Sequence, residues 1–152
     1  MGESRNELNI GQLCKERFGD DCAIIGCGTH IGTVAAAHEW DDDVEVMDVR
    51  PSREDSYEYL MHETGIPSFK LDLREKSMDM ELRAELMKKR LERFIGVIYR
   101  PATERWSHYS KAILPKQMDC MVWFDETSAV TPFEVGQPHE PLSVAETYPF
   151  GL

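Results

Sequence analysis

The sequence has no long hydrophobic run and no excess of basic residues. No stretch approaches the ~20 consecutive apolar residues that cross a bilayer, and the first six residues hold no apolar core of a signal peptide. We therefore expect a cytoplasmic protein. The 17 basic and 28 acidic residues give a net charge of −11. This charge argues against nucleic acid and anionic membranes as partners, because both attract Lys and Arg.

Cysteine is scarce, and its spacing does not suggest a metal site. The four cysteines, Cys14, Cys22, Cys27 and Cys120, form no C-x-x-C pair, and no pair of histidines has zinc-finger spacing. We expect no metal, no cofactor and reduced structural thiols. No G-x-S-x-G motif is present and no Cys–His pairing is visible, so the sequence offers no nucleophile for covalent catalysis.

What the chain does contain is an alternation of short apolar runs with helical patterns. Buried or half-buried strands are predicted at residues 22–26, 69–73, 95–98 and 120–124, with a fifth apolar run at 44–47. Helices are predicted to begin at Asn9, Ser52 and Ser77. His62 falls outside the predicted inner face of the second helix, so we expect it to be exposed.

These elements predict a layered α/β fold with a mostly parallel sheet and flanking helices. Several strands are continuous apolar runs that need cover on both faces, and three helices supply too little of it. The sheet is therefore expected to be an incomplete part of a larger α/β hydrolase-type domain. Residues 1–133 form this unit, and the proline-rich residues 134–152 are predicted to be a loose tail.

A glycine-rich turn is predicted after the first strand, at residues 26–34. Its G-x-G-x-x-x-G spacing, with Asp48 twenty positions past Gly28, resembles a dinucleotide-binding turn. The spacing is a near miss, and the three aspartates at 41–43 leave little room for a crossover helix. Nucleotide binding is therefore a distant alternative.

The densest polar cluster follows the predicted strand at 95–98. Tyr99, Arg100, Glu104 and His108 lie within this one stretch. Ligands of α/β proteins bind beyond the carboxyl ends of the strands, so the cluster predicts a functional site. An ordinary solvated loop is the alternative.

Three stretches closely resemble the C-terminal portion of the erythromycin esterase family. They are residues 7–13 with 16–19, residues 28–34, and residues 95–109 running on to 123–127, and they keep the family's order and separation over residues 2–133. The resemblance implies a hydrolase that opens a carboxylic ester or lactone with an activated water, although some relatives are associated with succinoglycan biosynthesis instead. The family's essential histidines and glutamates lie mostly in an N-terminal part that is absent from this sequence.

The resemblance implies that two of these stretches line the pocket. His30 is expected to act as a catalytic base or hydrogen-bond donor, and Arg100 to stabilise an oxyanion or carboxylate. Strand ends at one edge of a parallel sheet would bring both to one cleft. The predicted substrate-binding residues are Thr29, Tyr99, Glu104 and His108.

Structural alternatives exist for each of these residues. His30 is equally compatible with a structural histidine held by Thr29 or by Thr33. Arg100 is compatible with an ion pair to Glu104. A surface pair of Glu104 with His108, four positions apart, is favoured over an oriented base.

Taken together, the residues and the resemblance predict part of a hydrolase that supplies one wall of an active site for a small-molecule ester or lactone. The alternative is a non-catalytic, truncated or split module that pairs with an N-terminal half or self-associates. Exposed apolar surface is expected in either case, because the buried strands outnumber the helices that would cover them.

Overall fold

The computed structural model describes residues 8–131, so the predicted tail at 134–152 lies outside the described residues. Within this range the strands are β1 Ile25–Ala36, β2 Glu45–Val49, β3 Ser68–Asp72, β4 Arg90–Arg93, β5 Tyr109–Ala112 and β6 Cys120–Thr127. The α-helices are α1 Ile10–Phe18, α2 Tyr57–His62, α3 Met80–Leu86, α4 Glu104–Ser107 and α5 Leu114–Gln117. None of these helices is long and apolar enough to span a membrane.

Local capping sets the ends of the helices. The Asn9 side chain accepts the Gln12 backbone N–H at 2.9 Å, and α1 ends at Gly19 with a φ of +54°, as the sequence predicts. The next two helices begin a few residues downstream of the predicted serines. Ser56 caps α2, and Asp79 caps α3 by accepting two backbone N–H groups.

The main sheet is mixed, which corrects the expectation of a mostly parallel one. Its strand order is β2-β1-β6-β3, and only the central pair, β1 with β6, is parallel. Strands β4 and β5 form a separate antiparallel pair. The connection from β1 to β2 spans only residues 37–44, too short for a crossover helix, so β2 returns antiparallel to β1.

The predicted glycine-rich turn is part of β1, which runs for 12 residues through it. A Cβ atom at Gly28 would lie 2.5 Å from Met121 Cε, so this glycine lets β6 side chains pack against the strand. Gly32 has a φ of +128°, and its Cβ would lie 1.9 Å from Thr127 O. These glycines serve sheet packing and do not open a helix, so the predicted likeness to a dinucleotide-binding turn is wrong.

The strand predicted at 95–98 does not form. After β4 the chain is irregular. Residues 95–98 pair with the chain just past β1 through a single parallel bridge, between Ile98 and Ala37. The Ala37 N–H donates to Val97 O, and the Tyr99 N–H donates to Ala37 O, both at 2.9 Å. This segment meets β1 only beyond its last strand residue, so the ladder stops after two hydrogen bonds.

The core lies on one face of the main sheet. The buried hydrophobic cluster there consists of Tyr57, Met61, Leu73, Leu86, Ala112, Leu114, Met121 and Trp123. On the opposite face Ile25 is 62% exposed and Phe124 is 45% exposed, because alternate strand residues point to opposite sides. No residue of α1 is buried. The one-sided cover agrees with a partial α/β domain.

Candidate functional site

A stacked pair of histidines lies near the carboxyl end of the ladder that joins the parallel strands β1 and β6. His30 in β1 is 9% exposed, and its Nδ1 lies 2.6 Å from Ser52 Oγ. Its ring stacks on that of His62, with centroids 3.6 Å apart and an angle of 5° between the planes. This is the edge at which ligands of α/β proteins bind.

Asp125 in β6 orients the second histidine. His62, in the last turn of α2, places Nδ1 2.7 Å from Asp125 Oδ1. A carboxylate oxygen only accepts, so Nδ1 carries the hydrogen, and the neutral ring keeps its lone pair on Nε2. Neither Nε2 of the pair has a partner within residues 8–131. The side chain of His62 is 34% exposed, so it is less exposed than expected.

The environment of His30 favours its neutral form. Burial lowers the pKa of His30 below its ordinary value, and the neighbouring His62 and Arg93 side chains lower it further, against the opposing effect of Asp125.

Arg93 connects the elements around the histidines through hydrogen bonds and an ion pair. Its side chain is 3% exposed and donates to the backbone oxygens of Thr29, His30 and Arg50. It also contacts Glu104 Oε1 at 3.2 Å. One guanidinium thus satisfies carbonyls from β1 and the end of β2 and a carboxylate from α4.

Glu104 and Tyr99 belong to this structural network. Glu104 is 5% exposed and accepts from Tyr99 Oη at 2.8 Å as well as from Arg93. Tyr99 is fully buried, and burial raises its pKa to about 12. Neither of these two predicted binding residues presents its polar group to a ligand.

His108 is likewise held by backbone groups. Its Nε2 accepts the Arg100 backbone N–H at 2.9 Å, so Nδ1 carries the hydrogen and donates to Phe94 O at 3.1 Å. Both ring nitrogens are therefore occupied. The predicted surface pair of His108 with the Glu104 side chain does not form, since Glu104 is turned to Arg93.

Arg100 lies away from the histidine pair. It forms an exposed ion pair with Glu39 and also donates to His38 O, so the predicted partner Glu104 is not used. These contacts lie past the end of β1, whereas His30 is in the middle of that strand. Seven residues of extended chain separate His30 from Ala37, about 23 Å at 3.3 Å per residue. The expected convergence of His30 and Arg100 is not observed.

A cleft of about 290 Å³ opens beside this network. Thr29, whose hydroxyl donates to Ile31 O, lines it together with Glu58 and Arg93. Glu58 is 2% exposed and accepts the Arg93 backbone N–H at 2.8 Å through Oε1, while its Oε2 has no partner among the described side chains and backbone groups. Burial raises the pKa of Glu58.

The sequence pointed to His30 but not to its partners. Its partners come from three separate segments, at His62, Asp125 and Ser52. Of these, only Asp125 had a signal in the sequence, because it is an acidic residue at the end of a predicted strand. No group of three or more His, Cys, Asp or Glu side chains in residues 8–131 is arranged to hold a metal ion.

Comparisons with known proteins agree with this fold. The sequence model of the erythromycin esterase family matches residues 1–127. A solved succinoglycan biosynthesis protein superposes with a TM-score of 0.67 and 21% identity, over 80% of this chain and 28% of that one. A solved Bacillus cereus protein superposes with a TM-score of 0.65 and 18% identity, over 78% of this chain and 28% of that one. The chain thus spans under a third of either structure, and at these identities the likeness shows the fold.

Proposed function

Because the chain belongs to the erythromycin esterase family, we propose that it supplies one wall of a hydrolase site that cleaves a carboxylic ester or lactone with an activated water. The stacked pair of His30 and His62, with Asp125 on the outer ring, carries this proposal. It combines a histidine in a defined tautomer with a position near the carboxyl end of the β1–β6 ladder.

In this proposal His62 is the base. Asp125 holds the hydrogen on Nδ1, so Nε2 accepts a proton from water as the water oxygen bonds to the ester carbonyl carbon. The carbon–oxygen bond to the alcohol then breaks, and the leaving oxygen takes up that proton. His30, kept neutral by burial and fixed by Ser52, holds the His62 ring in place.

The other wall would come from a partner. The chain covers 28% of each solved neighbour, and one face of its main sheet is uncovered. We propose that the N-terminal part of a family protein packs on this face and supplies the oxyanion donors. The same open face favours the second candidate function, a non-catalytic module that pairs with another chain.

The first prediction concerns the 152-residue chain alone. It should hydrolyse neither macrolactones nor p-nitrophenyl esters above background, because in this proposal the other wall of the site comes from a partner, and it should self-associate through the open face. Steady-state assays and light scattering test both points. Turnover abolished by His30→Ala would contradict the first expectation, and a monodisperse monomer that binds no hydrophobic dye would contradict the second.

The second prediction tests which of the two histidines acts as the base. When the chain is mixed with the N-terminal part of a family protein and activity is restored, His62→Gln should lower kcat by roughly 100-fold or more. Asp125→Asn should have a smaller effect, because the base remains but loses its orientation. His38→Gln is the control, since His38 is an exposed histidine outside the stack.

The tautomer gives a readout independent of activity. Long-range nitrogen–proton NMR of the chain alone should show His62 with hydrogen on Nδ1, and Asp125→Asn should change that pattern. If His30→Gln abolishes turnover while His62→Gln retains it, the base is His30, and the assignment of His62 fails.

A further inference from the structure

A second cleft, of about 300 Å³, lies between the segment that follows β2 and the segment that leads into α4. Its charged and aromatic lining residues are Arg50, Arg53, Glu104, Arg105 and Trp106. We propose that this cleft binds an oxyanion group, a carboxylate or a phosphate, between Arg50 and Arg105. No step of the proposed hydrolysis uses these residues, so the inference goes beyond that function.

The cleft is positively charged in an acidic protein. Three arginines line it, although the chain as a whole carries a net charge of −11. Its one carboxylate, Glu104, is buried and already paired with Arg93. Arg53 is paired with Asp55. Two arginine charges are therefore left without a compensating carboxylate in the described part of the chain.

Arg50 and Arg105 contact neutral groups. Arg50 donates from Nη1 to Pro101 O at 2.9 Å. The Arg105 guanidinium lies 4.9 Å from the centroid of the Trp106 ring, a cation–π contact that positions the charge without cancelling it. Neither forms a salt bridge within residues 8–131.

Such an arrangement suits an oxyanion ligand. A guanidinium presents a planar fork of N–H donors that matches the two oxygens of a carboxylate or phosphate.

Titration of the full chain with inorganic phosphate and, separately, with succinate tests the proposal, followed by NMR at constant ionic strength. We expect saturable shifts centred on Arg50, Arg105 and Trp106, and Arg105→Gln should weaken binding tenfold or more. Arg105→Lys should weaken it less, because it retains the charge and loses the fork. Binding of one anion alone identifies which oxyanion the cleft accepts.

Arg17→Gln is the matched control. Arg17 also lies over an aromatic ring, that of Phe18 at 5.4 Å, but on α1 and outside the cleft. An equal loss of binding in the Arg17 and Arg105 variants would show a response to overall charge and overturn the proposal. Absence of saturable binding by both anions would overturn it as well. Arg105 touches only Trp106 among these contacts, so its variants are expected to fold, which circular dichroism checks.

Discussion

Replacing Arg93 by methionine is expected to lower the free energy of unfolding by about 3–5 kcal/mol, the usual cost of removing one partner from a buried ion pair. The change would leave the Glu104 carboxylate buried without its cation. It would also remove the Arg93 hydrogen-bond donor from the carbonyls of Thr29, His30 and Arg50. Methionine fills similar space, so the loss reports the polar contacts. Urea unfolding followed by circular dichroism measures it.

The control is a second arginine of the same chain. Arg100→Met breaks an ion pair whose partners are 39% and 62% exposed, so the expected loss is below about 1 kcal/mol. If both variants lose the same stability, burial is not what makes the Arg93 contacts matter. A loss for Arg93→Met below about 1 kcal/mol would contradict the structural role assigned to this network.

Replacing Glu92 by glutamine is expected to stabilise the protein by about 3 kcal/mol at pH 8. Burial, and then the nearby Glu58, raise the pKa of Glu92 from 4.5 to about 7. That difference corresponds to about 3 kcal/mol. The group is 2% exposed, so solvent screening is weak. Glutamine is uncharged and can still accept the hydrogen bond from Gln117.

The pH dependence gives the sign of the effect. Below pH 4.5 the carboxyl is protonated in both the folded and the unfolded chain, so the substitution should change little. As the pH rises from 4.5 to 7 the unfolded chain releases the proton first, and the folded state of the wild-type protein loses stability. The gain of the variant should therefore grow across this window and level off above it.

Urea unfolding at pH 4 and pH 8 measures this growth. His30 contributes the opposite slope, because its lowered pKa makes the unfolded chain bind a proton first as the pH falls below 6.5. Both proteins carry His30, so the difference between them isolates Glu92. The exposed Glu54→Gln should change stability by less than about 0.5 kcal/mol. A gain for Glu92→Gln that is equal at both pH values would contradict the charge-burial explanation.

Features that depend on neighbouring residues were predictable. The cap at Asn9, the C-terminal glycine of α1 and the alternation in β3 each follow from a few adjacent positions. The strand at β6 follows from a short apolar run. The family was also predictable, because its motifs are linear and the family model matches residues 1–127.

Features that depend on distant partners were not predictable. Residues 26–34 read as a turn because glycine usually breaks strands, yet β6 side chains occupy the space that a Cβ would fill. Residues 95–98 have the composition of a strand, but they meet β1 only beyond its end.

The family, the α/β class and the local helix signals could be predicted from the sequence, because they depend on residues close together along the chain. The arrangement of the site depends on how the elements pack. Packing α2 against β1 and β6 brings His62 to His30 and Asp125, across 63 positions in the case of His62 and Asp125. The same packing buries Arg93 and Glu104 and leaves Arg100 at the surface. Burial and pairing are properties of the packed elements.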